Sequence, residues 1–290
     1  GWFVAIMETM YVRSGNEAYK RLSKFWGKLF VINYAMGVVT GIVMEFQFGM
    51  NWSEYSRYVG DVFGAPLAME ALTAFFLEST FLGVWLFSWD RLSKPLHAAT
   101  IWLVAIGSNL SAVWILLANG FMQHPVGYSL ENGRAVLVDF WALISNLRGW
   151  FLIWHTLSSG LVTVSFFVLG ISAYHLIRRH QEEAFRHSFR IAAIIGLVSA
   201  VMVGISGHTQ GVYLREVQPM AAAASEAHWD TANPADFSVV AIFDSTGKNE
   251  IWSLKIPKVL SLLYYFKLEG EVEGINNIQA QYTELYGPGD

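Results

Sequence analysis

Long apolar runs separated by short polar connections set the pattern of this chain. Apolar positions dominate 29–48, 66–89, 97–118, 150–177 and 189–206, each long enough for the ~20 residues that a bilayer crossing takes. The opening run, Gly1-Trp2-Phe3-Val4-Ala5-Ile6-Met7, is too short to span and reads as the end of a first helix. The pattern predicts an all-α polytopic membrane protein, a transmembrane helical bundle of five full spans plus the end of a first helix. Residues 13–28 read as a polar connection, 51–61 (NWSEYSRYVGD) as an aromatic interfacial segment. Residues 119–149 read as a loop holding the turn-forming Glu131-Asn132-Gly133. From Gly207 the chain is richer in Glu, Asn, Asp and Pro, with apolar clusters at 239–243 and 256–266. That shift predicts a bundle over 1–206 and a separate external domain over 207–290 with a small core of its own.

Composition agrees with the pattern. The 290 residues are 54% hydrophobic and only 14% charged, against about 25% charged in a soluble domain. The net charge of −4 comes without any basic block, so nucleic acid is not an expected partner. Cysteine is absent from the sequence, which excludes a disulfide, an iron–sulfur cluster and a c-type haem attachment within it. Both ends look cut: there is no initiator Met, and the sequence stops within a polar stretch at Asp290.

Charge placement orients the spans. Arg13, Lys20, Arg21, Lys24, Lys28, Arg91, Lys94, Arg178, Arg179, Arg186 and Arg190 fall on one side, eleven against Arg57, Arg134 and Arg148 on the other. Cytoplasmic loops carry the Lys and Arg excess, so the 51–61 and 119–149 connections and the 207–290 region are expected outside.

Two carboxylates break the apolar pattern. Glu70 and Glu78 lie in GAPLAMEALTAFFLESTFLG, inside the third span. An ionisable group at that depth costs several kcal/mol and by default marks an ion, proton or cofactor path. Eight residues apart, they lie ~80° from each other around an α-helix and ~12 Å along it. The bland alternative is a pair of neutral, hydrogen-bonded core residues. His155 sits about five residues into the fifth span, followed by Ser158, Ser159 and Gly160. Neutral imidazole is a common axial ligand of haem iron, and a hydrogen-bonded core histidine is the competing reading. Glu45 and Gln47 can reach an interface, Asn109 and Ser111 can bridge helices, and His97 and His175, at span ends, are expected to be solvated. On these residues alone, a proton- or cation-coupled transporter using Glu70 and Glu78 stands beside a redox protein.

The strings AIMETMYVRSG, FWGKLF, MEFQFGMNWSEYSRYVGDVFGAPLAMEALTAFFLEST, WLVAIGSNLSAVWIL and NGFMQHP resemble subunit I of the cytochrome bd-type quinol oxidases. The likeness covers nearly all of the first 206 residues. It continues more loosely through GHTQGVYLREVQPMAAAASEAHW, which is similar to the start of that family's external quinol-binding loop, and the tail resembles the cyanide-insensitive branch. The resemblance implies a quinol oxidase of the prokaryotic inner membrane that oxidises ubiquinol or menaquinol outside and reduces oxygen to water. It implies low-spin and high-spin haem b, with haem d or a haem b in its place at the oxygen site. It also implies a subunit II, leaves room for a small single-helix subunit, and puts lipid around the spans. His155 corresponds to the histidine ligand of the low-spin haem b. Glu70 and Glu78 correspond to the carboxylates beside the haem pair, Ser111 to a polar position of the same bundle, and Glu226 to an acidic residue of the quinol loop. The family's first-helix histidine would precede Gly1. The methionine partner of His155, a further carboxylate ligand and later helices would follow Asp290. A lysine expected in the quinol loop falls near Ala221. The chain is thus expected to be about half to two thirds of the subunit and inactive alone.

Overall fold

The computed structural model describes residues 1–245, 247 and 250–287. Residues 248 and 249, part of the expected external domain, lie outside the described residues, as do 246 and 288–290. The chain divides into two compact units, Gly1–Val203 and Gly204–Asp290.

The first unit is a helical bundle. Its elements are α1 (Trp2–Ser14), α2 (Glu17–Phe46), α3 (Ser53–Glu70), a π-helical turn (Ala71–Phe75), α4 (Phe76–Phe87), α5 (Lys94–Gln123), α6 (Phe140–Ile144), α7 (Leu147–Ile177) and the start of α8 (Glu182–Val217). Five helical stretches among the described residues are long and apolar enough to cross a membrane. Helix α5 is the hub, packing against α1, α3, α4 and α7. The main core gathers Met7, Tyr11, Leu22, Trp26, Leu82, Trp85, Ile101, Val104 and Val168.

Several element boundaries differ from the sequence expectation, for identifiable reasons. The polar connection over 13–28 shrinks to a two-residue turn, in which Gly15 takes φ 66° and the Asn16 side chain accepts from the Ala18 N–H. Glycine suits that left-handed position, and Asn caps the next helix. The basic residues that suggested a loop sit on the exposed face of α2, while Tyr19, Leu22, Ser23 and Trp26 are buried. Period outweighed charge there. The 51–61 segment is helical from Ser53, so the third span is continuous with it. The sixth span does not stop at 206, because α8 runs to Val217. The 119–149 loop contains a hairpin, β1 (Tyr128–Glu131) paired with β2 (Arg134–Leu137). Its turn residues Asn132 and Gly133 take φ 51° and 74°, the positive values that make Asn-Gly a hairpin signal.

The second unit adds α9 (Pro219–Ser225), the antiparallel pair β3 (Phe237–Phe243) and β4 (Glu250–Ile256), α10 (Val259–Tyr265) and α11 (Ile275–Tyr286). Its core is small: Ala235, Leu260, Tyr264 and Val272. Buried Ser261 links its strands of chain, accepting from the Ala235 N–H at 2.8 Å and donating to the Gly270 carbonyl at 2.7 Å. Among the described residues the two antiparallel strand pairs and a lone bridge between Ala232 and Val272 depart from an all-helical chain.

Candidate functional site

The two carboxylates of the third span are drawn onto one line by the π-helical turn between them. In Ala71–Phe75 the Phe76 N–H bonds to the Ala71 carbonyl, five residues back. Closing the ring one residue later adds a residue to that turn. The ~80° offset expected on a straight helix therefore falls by about 100°, leaving the two side chains within ~20° of each other. Thr73 supports the turn, donating to the Met69 carbonyl at 2.6 Å and accepting from Trp114 Nε1 at 3.1 Å.

Both carboxylates then face α5. Ser111 Oγ donates to Glu70 Oε1 at 2.7 Å. Ser108 donates to Glu78 Oε1 through a short hydrogen bond. The two serines are three apart on α5, hence on one face. Glu78 is buried and Glu70 partly so. Gly107 lets the helices meet: a Cβ there would lie 3.1 Å from Glu78 Cβ and 3.3 Å from the Ala74 carbonyl. Buried polar groups that are each hydrogen-bonded form an ordered array. Asn109, expected to bridge helices, instead donates to Ala105 of its own helix at 2.6 Å, and Ser108 takes the bridging role. Glu45 is exposed.

His155 lies on α7, partly exposed. Helices α5 and α7 approach closely above it, where a Cβ on Gly120 would stand 2.6 Å from the Gly149 backbone. Ser158, Ser159, Val162 and Phe166 share the helix face of His155, and Phe166 is 65% exposed. A half-buried imidazole beside the small Ser158 and Ser159, with exposed Phe166 further along the same face, fits a flat macrocycle. Gly160 turns away and borders a different groove, beside Phe3, Trp26 and Phe30.

One buried pairing escaped the sequence reading. His97, expected to be solvated, is 3% exposed, and Glu8 is 1% exposed. His97 Nδ1 makes a short contact with Glu8 Oε1, and its Nε2 donates to the Trp85 carbonyl at 2.9 Å. Glu8 Oε2 accepts from Trp85 Nε1 at 2.7 Å and Ser23 Oγ at 3.2 Å. These four residues join α1, α2, α4 and α5. A His three residues into α5 and a Glu on a short apolar helix gave no sequence signal of pairing. His175 is partly buried, stacked on Phe185 with ring centroids 4.0 Å apart.

In the second unit Glu226 follows α9 and lines a cavity of about 510 Å³ with Arg215, Ala222, Ala223, Tyr264 and Ile278. Burial raises the Glu226 carboxyl above its ordinary range and pushes the Tyr264 phenol up to about 12. The Arg215 guanidinium carbon lies 4.5 Å from the Tyr265 ring centroid and 5.3 Å from that of Tyr264. Arg215 Nη2 is 3.8 Å from Glu216 Oε1, and its buried Nη1 has no hydrogen-bond partner among the described residues. Ala221 is exposed and outside the cavity lining.

A polytopic helical bundle with hydroxyl-bonded carboxylates along one interior line and a half-buried histidine defines a multi-pass membrane protein. The chain belongs to the family described as cytochrome bd terminal oxidase subunit I, whose sequence model matches residues 1–285. It is 50% identical over 290 residues, all of this chain and 62% of the relative, to cytochrome bd ubiquinol oxidase subunit 1 of Bacillus subtilis (strain 168). It is 45% identical over 283 residues, 97% of this chain and 55% of the relative, to cytochrome bd-II ubiquinol oxidase subunit 1 of Escherichia coli (strain K12). The fold matches the bd oxidase structure from Geobacillus thermodenitrificans with a TM-score of 0.86 and 31% identity, over 95% of this chain and 63% of that one. The chain thus spans less than two thirds of the length of these relatives. Family membership displaces the transporter alternative.

Proposed function

We propose that this chain works as part of subunit I of a terminal quinol oxidase, oxidising quinol at the outer membrane face and passing electrons through haems to oxygen. The observation that carries this reading is the alignment of Glu70 and Glu78 by the π turn, each held by a serine of α5. Carboxyl and hydroxyl groups in series suit proton delivery to a buried reduction site, and the proton uptake adds to the gradient. Haem, when bound, supplies the one-electron and oxygen chemistry that no side chain here provides. His155 would hold the low-spin haem b by its imidazole; Glu70, Glu78 and Ser111 would border the high-spin haem b and the haem d or haem b that binds oxygen. A subunit II completes the enzyme, with or without a small single-helix subunit, and ubiquinol or menaquinol is the reductant. The 207–290 region lies outside, in keeping with the Lys and Arg bias.

The second unit supplies the groups that a quinol needs. Glu226 accepts a hydroxyl proton, and its raised pKa brings a carboxylate closer to neutral operating pH. The base form fills as pH rises through that pKa, so quinol oxidation rises with it. Arg215 offers its unpartnered Nη1 to the ligand oxygen, a cation in place of the lysine expected near Ala221. In the assembled enzyme Arg215→Gln is expected to raise the KM for quinol by about tenfold or more, the size of a lost charged hydrogen bond, with kcat little changed. Glu226→Gln is expected to lower kcat by about 10²-fold or more. Steady-state quinol-driven oxygen uptake reads both, and equal KM and kcat in either variant would remove that residue from the quinol site.

Haem assignment has its own test. A reduced-minus-oxidised spectrum of the full-length protein in membranes is expected to show haem bands, and His155→Ala to lose the low-spin set alone. A wild-type spectrum without haem bands would sink the oxidase reading, whereas unchanged bands in the variant would sink only the ligand.

A further inference from the structure

One stripe of α2 changes character along its length. Arg21, Lys24 and Lys28 are exposed at helical spacing, and the same face continues into Ile32 and Met36, each 60% exposed. None of the three basic residues forms an ion pair among the described residues. Lys24 lies 4.8 Å from the Trp89 ring centroid, a cation–π contact that leaves its charge uncompensated.

The basic end of the stripe borders a pocket of about 320 Å³, closed on its other sides by His175, His180 and Phe185. The pocket has an aromatic floor: His175 stacks on Phe185 at 4.0 Å, and Phe25 meets Phe185 edge-on at 5.5 Å. His175 Nδ1 and His180 Nδ1 are 3.1 Å apart, so one donates to the other. The nearby acids point elsewhere, Glu182 pairing with Arg186 at 3.6 Å and Glu183 accepting from Asn16 at 3.4 Å. The pocket is a concentration of positive charge and N–H donors over apolar rings.

The geometry points to a binding site for an anionic phospholipid, its phosphate held by Arg21, Lys24 and Lys28 beside the histidine pair and its acyl chain laid along Ile32 and Met36. Phosphate is the shared chemistry of a lipid headgroup and a small soluble phosphate. Two observations favour the lipid. The apolar half of the stripe continues ~12 Å beyond Lys28 on the same face, and the pocket lies at the span ends to which the charge pattern of the sequence assigns eleven Lys and Arg, the side that faces the anionic leaflet. Exposed Ile177, at the end of α7, adds apolar surface at the same level.

The test uses the assembled enzyme in detergent, with lipid binding followed by native mass spectrometry. Phosphatidylglycerol is expected to bind at least about tenfold more tightly than phosphatidylcholine, and the triple variant R21Q/K24Q/K28Q to lose that preference, at roughly one surface charge's attraction per residue. The charge-conserving R21K/K24R/K28R variant is expected to keep it. K28Q alone, at an exposed position, is expected to lose about a third to a half of the preference on a logarithmic scale if the triple variant fails to assemble. Wild-type enzyme without a preference, or a triple or K28Q variant that keeps it in full, would overturn the site. Glycerol 3-phosphate binding as tightly as phosphatidylglycerol would overturn the lipid assignment in favour of a soluble phosphate.

Discussion

Glu78→Gln is expected to lower quinol-driven oxygen uptake by about 10²- to 10⁴-fold, the range over which positioned acid–base groups act, while the haem bands persist. The side chain is nearly isosteric and keeps an oxygen to accept from Ser108, so packing against Gly107 is retained. What disappears is the ability to take and release a proton. The register test is sharper. On a straight helix the position in line with Glu70 would be 77, seven residues on, whereas the π turn moves that position to 78. In the double variant L77E/E78L the carboxylate is kept at the same depth but turned about 100° from Ser108. This variant is expected to be as slow as Glu78→Gln. Oxygen uptake within threefold of wild type in E78Q would end the proton-carrier role, and full activity in the swap would show that alignment is irrelevant.

The spans were legible because lipid imposes a length and an apolar composition that one sequence displays openly. The Asn132-Gly133 turn was legible because few residues tolerate its backbone angles. Glu70 and Glu78 stood out by cost alone. The π turn did not: Ala-Leu-Thr-Ala-Phe is ordinary helical sequence, and the extra residue is held by Thr73 and by Trp114 of another helix. Long-range partners of that kind leave no local mark. The start of α2 was hidden for a different reason, since four basic residues within nine positions look like a loop unless the buried Tyr19, Leu22 and Trp26 are read with them. The end of α8 was misjudged because His208, Thr209 and Gln210 are polar yet still helical. Arg215 carried no signal until the structure set it between Tyr264 and Tyr265.

His97 shows how the same gap hides stability. A histidine at a span end is solvated unless a partner waits, and its partner, Glu8, is 89 residues away. Glu8→Ala is expected to destabilise the bundle by about 3–5 kcal/mol, the usual cost of breaking a buried hydrogen-bonded pair from one side. Its loss leaves Trp85 Nε1 and Ser23 Oγ without their acceptor and His97 Nδ1 without its carboxyl partner, in a region where Trp85 is 1% exposed and no water can replace it without opening the core. Little relaxation is available, because a Cβ at Gly27 would already fall 2.2 Å from the Trp85 ring, so the indole cannot slide toward α2. Glu8→Gln keeps one acceptor oxygen and the side-chain volume, and is expected to cost roughly half as much. Equilibrium unfolding of the assembled protein in mixed micelles of rising dodecyl sulfate fraction measures both. A Glu8→Ala variant within about 1 kcal/mol of wild type would show that the four helices meeting at Glu8 are held by apolar packing alone.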